Sequence, residues 1–576
     1  MKQLFLLTLL LCCYSLSIAQ SKYFETSLAW DIPNTINGFK IIEQPNKKYI
    51  IGGSVFNDST NPMWVTYSAV ADQWGDLLYH YTNFLDTTLF NGCSMRSMLS
   101  TEYGYIMSGF INDTDSPLSS IYLVRIDTMG LLIDQTVLAP PNLNNYNNIG
   151  YSICRTPDGG YLLSGSSGTQ SWSNPYLCKL GSDLNIEWDT LYEQYTNEYS
   201  KMLQIKPSRD GTAYWAIANI NTTDDEGDIG LLKIDDIGTI AEEHVYGQPD
   251  KKELTWKFIE TMDNNFAFVV TRLTNQGSYM GGMVKTNNLN NIAWSNLNVI
   301  RTIDGGVLQL RDSTFIISGS SFKDYPPNDL DTQISKFSHD GQLLWTRHYG
   351  NEGNDYVYDM ILDSEGSLVF CGRDEAINQP NVINGANLYL LKTNCMGLLT
   401  EPQAAFSSTV DMEPYFAAFQ NLSQFVYPDS TDGGHYVWDF GDGSAPQIDN
   451  AAFVSHTFPA YGTYPIRLTA VVCSDTSVVE QDVGVFPVGL PQMGMGGFSV
   501  YPNPAHNQAT LNYQFGDIHS GTLVITDIQG RLIKQANLQG NGRYVLSTQD
   551  MPSGVYIYSI SEQGKVLLRD KLVLVK

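Results

Sequence analysis

The sequence predicts an all-β chain: a seven-bladed β-propeller followed by two smaller β-sandwiches. Three observations predict it. One block recurs seven times between residues 23 and 400. Each block is about 53 residues long and holds four short strands without helical periodicity, which is the size of one propeller blade. The rest of the chain is two strand-rich stretches divided by a Gly-, Met- and Pro-rich linker at 488–497.

The repeat is anchored by an apolar core that ends in a small residue. Its copies are Tyr49–Gly53, Tyr105–Gly109, Tyr161–Gly165, Tyr214–Ala218, Phe266–Val270, Phe315–Gly319 and Leu368–Gly372. Successive copies are 56, 56, 53, 52, 49 and 53 residues apart. Five of the seven cores end in glycine, which predicts close backbone approach near the propeller axis. A parallel β-helix has coils of half this length or less, and a jelly roll would not repeat in this way.

A second strand follows each core. In six copies it places a cation in one register: Arg125, Lys179, Lys233, Lys285, Lys336 and Lys392, with Val70 in the first copy. Recurrence in six blades predicts a structural role such as a salt bridge or a solvated strand end. A further strand carries Trp188, Trp294 and Trp345 in three copies. The seventh unit stops at Thr400 without this strand, whereas residues 23–30 precede the first core and have no unit of their own. Those residues are predicted to complete the seventh blade and so remove an open edge.

The chain has 33 basic and 60 acidic side chains and a formal charge of −27. Residues 498–576 hold seven basic and five acidic residues, so the remainder carries about −29. Such a field repels phosphate backbones and argues against nucleic acid as a partner. At the start, Met1-Lys2, the apolar run Leu4–Leu11, and Ser17 and Ala19 before Gln20 read as a signal peptide at 1–19, cleaved between Ala19 and Gln20. No later stretch is long and apolar enough to predict a transmembrane segment in the mature chain. Six cysteines follow: Cys93, Cys154, Cys178, Cys371, Cys395 and Cys473. None forms a C-x-x-C pair. An exported chain permits disulfides, and buried free thiols are the alternative.

Residues 402–487 contain Tyr436-Val437-Trp438-Asp439-Phe440-Gly441-Asp442-Gly443, His456-Thr457-Phe458 and Tyr461–Leu468. This resembles a PKD domain, an immunoglobulin-like sandwich. Trp438 is large enough to bridge two sheets. Gly441 and Gly443 suit positive φ, and Tyr464, Ile466 and Leu468 alternate with polar or wet positions. Such domains are spacers or interaction modules.

Residues 498–576 open on Tyr501-Pro502-Asn503-Pro504, pass through Asp527 to Gly530, then Gly554-Val555-Tyr556, and end at Lys576. This resembles the type A C-terminal sorting domain of the type IX secretion system of Bacteroidota. The resemblance implies a partner in that machinery, a secreted or outer-surface location, and removal of the domain by a cut in or near the linker.

No motif points to a catalytic residue or cofactor. There is no H-E-x-x-H and no G-x-S-x-G, and His80, His244, His339 and His348 are scattered. Asp439 and Asp442 are calcium candidates, although turn stabilisation is the favoured role. The run from Asn221 to Asp228 reads as a solvated loop. Asp158, Asp304 and Asp363, just before blade cores, fit hairpin turns. Trp172, Tyr176, Tyr192 and Tyr195 suit packing more than sugar stacking. These features predict a non-enzymatic binding or adhesion protein whose propeller loops meet glycans or surface proteins. The alternative is an enzyme degrading polysaccharide or peptide at the channel, and a third reading is a gliding or adhesion component. An enzyme should gather carboxylates or histidines at one channel mouth.

Overall fold

The computed structural model describes residues 21–486 and 498–576, apart from 29–34, 58–62, 84–89, 115–117, 139, 141–142, 144, 170, 196–199, 221–227, 249–250, 274–278, 302–304, 323–328, 377–384, 411–414, 427–433, 516–519 and 563–564. The predicted signal peptide with Ala19 and Gln20, the linker 488–497, Trp30, Asp304 and most of the Asn221–Asp228 run lie outside the described residues. The chain divides into two compact units. One comprises 1–403 with 423–436 and 469–477; the other comprises 404–422, 437–468 and 478–576.

The first unit is a seven-bladed β-propeller. Blade 1 pairs Thr35–Glu43, Tyr49–Asn57, Met63–Ala71 and Leu77–Asn83 in order, all antiparallel, and blades 2 to 6 repeat the pattern. Blade 7 takes Gly353–Leu362, Leu368–Ala376 and Asn387–Thr393 from the end of the ring. Its fourth strand is Phe24–Leu28, paired Phe24 to Lys392 through Leu28 to Leu388. The predicted closure by the two chain ends is therefore observed.

The core runs are continuous, not alternating, because each blade is covered on both faces. Seven apolar clusters each straddle two neighbouring blades. Ile50 packs towards blade 2 with Met95 and Met107, whereas Tyr49 and Ile51 pack towards blade 7 with Val369 and Leu390. Leu162 and Leu163 divide in the same way, as do Ile316 and Ile317. Neighbouring residues of a strand point to opposite faces, so one apolar pentapeptide supplies two interfaces. The seventh interface joins blades 7 and 1.

The core strands lie second from the axis; the first strand of each sheet lines it. The terminal glycines thus relieve crowding inside a blade, not across the axis. A Cβ on Gly53 would fall 1.9 Å from the Asn37 carbonyl oxygen, and one on Gly372 would fall 1.7 Å from that of Tyr356. Both carbonyls belong to an innermost strand at a β-bulge.

The cation register resolves into ion pairs that follow a rule. Where the opposing outer residue is Trp or Phe, the lysine turns to the aspartate of the hairpin before its core strand. Lys179 faces Trp188 and binds Asp158 at 2.8 Å; Lys285 faces Trp294 and binds Asp263 at 2.7 Å. Lys336 faces Trp345 and binds Asp312 at 3.3 Å; Lys392 faces Phe24 and binds Asp363 at 3.0 Å. Where the outer residue is acidic, the cation pairs with it directly, as in Arg125–Asp134 and Lys233–Glu242. The Lys179 ammonium, with Thr156 and the Gly160 amide, holds the Asp158 carboxyl well below the ordinary range.

The outer aromatics also serve the next blade. The turn glycines Gly238, Gly341 and Gly397, all at positive φ, rest on Trp188, Trp294 and Trp345. Gly75 of blade 1 rests on the Phe24 ring. Phe24 therefore fills in the closing strand the place that tryptophan fills elsewhere.

Cys395 and Cys473 form a disulfide with a Cα–Cα distance of 6.0 Å. The segment 469–477 is further held by Tyr23 and Lys22, which both bind Asp475. Cys93, Cys154, Cys178 and Cys371 are free and buried in the blade cores.

After the propeller in the chain, Phe406–Val410, Phe416–Asn421 and Phe453–Thr457 form one sheet of a sandwich. The other sheet orders Gln447–Ile448, His435–Asp439, Gly462–Val472 and Asp475–Val485. Trp438 is fully buried, with ring centroids 5.5 Å from Phe406 and 5.6 Å from Phe419, and it bridges the sheets as expected. Ile466 and Leu468 are buried while Pro465 and Arg467 are exposed. A last sandwich stacks Phe498–Tyr501, Gln508–Tyr513 and Gly542–Ser547 on a four-stranded sheet running from Leu532–Gln539 to Lys565–Leu574.

Candidate functional site

The innermost strands build a channel wall from a repeated local defect. In blades 1, 2, 3, 4 and 7 that strand carries a one-residue bulge, at Phe39, Arg96, Tyr151, Leu203 and Tyr358. In blade 5 the break between Lys252–Leu254 and Phe258–Glu260 has one residue more than the strand opposite, and Trp256 lies in it. A bulge re-aims its side chain. All six of these residues line one cavity of about 550 Å³ within the ring.

The charge of this cavity is opposite to that of the chain. Its walls include Lys40, Arg96, Lys206, Lys257 and Arg373 and, among the described residues, no acidic side chain. Asp359 is buried behind the wall, 2.8 Å from Lys40 and 2.5 Å from Lys257. Burial opposes its charge, but Lys257 and Lys40 hold it below the ordinary carboxylate range. Lys257 reaches this site from blade 5 past Gly306 of blade 6, where a Cβ would meet the lysine chain at 3.7 Å. It also donates to the Tyr358 carbonyl at 2.7 Å.

Three cations are not neutralised in this way. Among the described residues no carboxylate pairs with Arg96, Lys201 or Lys206. Arg96 lies 5.0 Å from the Phe39 ring centre and 5.7 Å from that of Phe110. Lys201 is 5.8 Å from both the Tyr151 and Trp256 rings. Lys206 donates to the Phe258 carbonyl at 3.0 Å. It sits deep in the ring yet opens to the lumen, and burial with repulsion from Lys40 and Lys257 pushes it down to about 8. Phe39 and Tyr358 lie 4.9 Å apart, so aromatic faces occur at two sectors of the wall.

The predicted site residues fall elsewhere. Asp439 accepts the Gly441 amide and Asp442 the Ser444 amide, each at 3.0 Å, in a turn where Gly441 and Gly443 have positive φ. Asp442 also binds His456 at 2.7 Å; although burial opposes it, this contact lowers its carboxyl to about 2. Among the described residues no cluster of His, Cys, Asp or Glu is arranged to hold a metal ion. His244 meets Asn290, and His339 stacks on Phe315, so these histidines do not converge. Tyr176, Tyr192 and Tyr195 are buried packing residues, and Trp172 meets Tyr146 edge-on at 5.3 Å. Burial pushes the thiols of Cys93, Cys154 and Cys178 up to about 12, which removes them as nucleophiles.

The sorting-motif residues gather around the last strand. Asn503 donates to the Lys571 carbonyl at 2.8 Å and accepts the Val573 amide at 2.7 Å. Gly554, Val555 and Tyr556 pair with Leu574, Val573 and Leu572. Tyr556 donates to the Pro552 carbonyl, and Lys576 reaches Ser553 and the Gln549 carbonyl. Pro502 and Pro504 flank Asn503 in cis peptides, and Tyr501 is exposed.

Sequence reasoning missed the channel wall. The signal was present: Phe39, Arg96, Tyr151, Leu203, Trp256 and Tyr358 each precede the last core residue of their blade by 13 to 15 positions. It also missed Asp263 and Asp312, which fill the hairpin place of Asp158 in blades 5 and 6.

Residues 499–575 match the secretion system C-terminal sorting domain family, and residues 417–485 match the PKD domain family. Among solved structures, the chain is similar to a protein of unknown function from Dyadobacter fermentans at 9% identity and TM-score 0.38, covering 65% of this chain and 99% of that one. It is similar to the polysaccharide lyase Uly1 at 9% identity and TM-score 0.40, covering 62% and 90%. It is also similar to CoXyl43, a GH43 β-xylosidase/α-arabinofuranosidase from a compost microbial metagenome, at 10% identity and TM-score 0.29, covering 47% and 97%. Among the described residues no helix is long and apolar enough to cross a membrane. The sorting tail marks the chain as a secreted or cell-surface protein of the Bacteroidota type, addressed to the type IX secretion machinery.

Proposed function

We propose that this is an exported, non-enzymatic binding protein. In this reading a signal peptide at 1–19 is removed, the propeller at 20–400 meets the ligand, the sandwich at 402–487 acts as spacer, and the linker 488–497 precedes the sorting domain at 498–576. One observation carries it: the channel gathers cations and aromatic faces, and among the described residues no convergent group of carboxylates or histidines lies with them. Concave sites with a few convergent polar groups and aromatic walls suit recognition. The partner classes in this reading are glycans and surface proteins.

A second reading, an extracellular polysaccharide- or peptide-degrading enzyme, is favoured by Lys206. An amine held near 8 inside a channel has the protonation behaviour of a general base. The two readings separate in one experiment. The secreted full-length chain is applied to a glycan and surface-protein array, and each hit is then incubated with it and analysed by mass spectrometry. Retention of an unchanged hit is expected. Cleaved product would overturn the binding reading in favour of the enzyme.

A further inference from the structure

The chain is strongly acidic, yet the wall of its central cavity is basic. A lumen lined by one sign of charge, with low-dielectric walls, focuses its field and attracts counter-ions even against the net charge of the molecule. The Asp359 carboxylate accounts for Lys40 and Lys257, and Glu375 pairs with Arg373. Arg96 and Lys206 remain in the wall and Lys201 beside it, held among the described residues by carbonyl and ring contacts instead of carboxylates. A cation in a partly desolvated wall that has no carboxylate ion pair has unused capacity for a charge-assisted hydrogen bond.

The same wall carries four aromatic side chains. Phe39 with Tyr358 lies beside Arg96, and Tyr151 with Trp256 lies around Lys201. They are there because bulges turn single residues inward, so a cation and a flat apolar face recur side by side at two sectors. A ligand that satisfies both must carry an anionic group and a ring with an apolar face. The cavity, about 550 Å³, falls in the range for small ligands. The acidic exterior disfavours a long polyanion such as a nucleic acid. A neutral sugar would leave the unneutralised cations unused.

We propose that the propeller lumen is a binding site for a small acidic saccharide, with its carboxylate or sulfate on Lys206 and Arg96 and a sugar ring on Trp256. The site rests on the binding reading above and names its ligand class. Lys206 and Arg96 supply charge, Trp256 supplies the stacking face, and the Lys257–Asp359–Lys40 bridge sets the cationic wall in place.

The test is calorimetric titration of the full-length secreted chain with digalacturonic acid, a sulfated disaccharide, neutral lactose and a short oligonucleotide. At least one acidic disaccharide should bind, with lactose weaker by tenfold or more and affinity falling as salt is raised. Lys206→Met and Trp256→Ala should each weaken it by about tenfold or more, the loss of one charged hydrogen bond or one stacking face. Lys233→Ala, on the outer part of blade 4, is the control and should bind like wild type. Thermal melts confirm that the variants fold, and Lys206→Arg, which keeps the charge, should retain most of the binding. The comparison of carboxylated with sulfated ligand tells which anion the site takes. Equal affinity for lactose, unchanged binding in both lumen variants, no binding of either acidic disaccharide, or preference for the oligonucleotide would each overturn the proposal. An array ligand whose binding ignores the lumen variants would sink this site while leaving the general binding reading intact. Conversion of a lumen-bound acidic disaccharide to product would support the site and overturn the non-enzymatic reading.

Discussion

Replacing Lys392 with Met should destabilise the ring at its closing seam. Lys392 of blade 7 is buried, as is Asp363, with 2% and 1% of their side chains exposed, and their charged groups are 3.0 Å apart. Tyr49 of blade 1 completes a triad, accepting from Lys392 and donating to Asp363, each at 2.9 Å. Removing the ammonium leaves a buried carboxylate that, among the described residues, keeps hydrogen bonds from the Tyr49 hydroxyl and the Glu365 and Ser367 amides but has lost its ion pair. Breaking one side of such a pair costs about 3–5 kcal/mol. The ring runs from Phe24 to Thr393, about 370 residues. At ~2.1 cal/mol/K per residue, its unfolding entropy is ~0.8 kcal/mol/K, so the loss corresponds to a Tm lower by about 4–6 °C. The assay is calorimetry of wild type, Lys392→Met, Asp363→Asn and the double variant. The double should be more stable than the sum of the singles by ~2 kcal/mol, because it leaves no unpaired buried charge. A Lys392→Met shift under about 1 °C, or additive singles, would refute the reasoning.

Three further outcomes can be checked. Asp355 in blade 7 is buried, and burial with repulsion from Asp374 and Asp331 pushes its carboxyl up to about 8. The folded chain therefore keeps a proton that the unfolded chain releases near about 4. Its contribution to stability is full below that value and is lost as pH rises through about 8; Asp355→Asn should flatten this slope in melts across pH, and an unchanged slope would exclude Asp355 as its source. Cys395→Ser opens a 78-residue loop and should cost up to ~4.5 kcal/mol on the chain-entropy view, read by denaturant midpoint with and without reductant; reductant should have no effect on the variant. Phe24→Ala removes the half-buried ring on which Gly75 rests and should cost about 3 kcal/mol, the low end for a phenylalanine truncation, while raising proteolysis at the N-terminal strand; equal resistance to protease would count against that packing role.

The blades were legible because a two-faced strand demands an apolar run, and seven runs such as Tyr161–Gly165 stand out against the acidic background. The cation register was legible because a lysine among apolar residues, as at Lys336, needs a partner. Its partner was harder to read: whether the lysine meets the hairpin aspartate or the outer strand depends on whether the residue across from it is Trp345 or Glu242. The purpose of Gly53 and Gly372 was misplaced, since the sequence does not show which strand of a blade faces the axis. The channel was hard to read because its wall is assembled from distant strands of six blades, and bulges, not alternation, decide which side chains such as Phe39 and Tyr358 turn inward. The pairing of Cys395 with Cys473 depends on proximity between segments 78 residues apart, which spacing cannot supply.

Using Phe24–Leu28 to finish a sheet begun at Gly353 has a temporal consequence. Among the described strands Phe24–Leu28 leaves the ribosome first, and its partner Asn387–Thr393 is the last of the propeller, so it stays unpaired while some 360 residues are made. Joining such remote segments is slow because chain entropy is lost before any contact repays it. Cys395 lies two positions beyond that final partner strand. The disulfide to Cys473, together with Asp475 binding Tyr23 and Lys22 just before the closing strand, then ties one later segment of the chain to both ends of the ring.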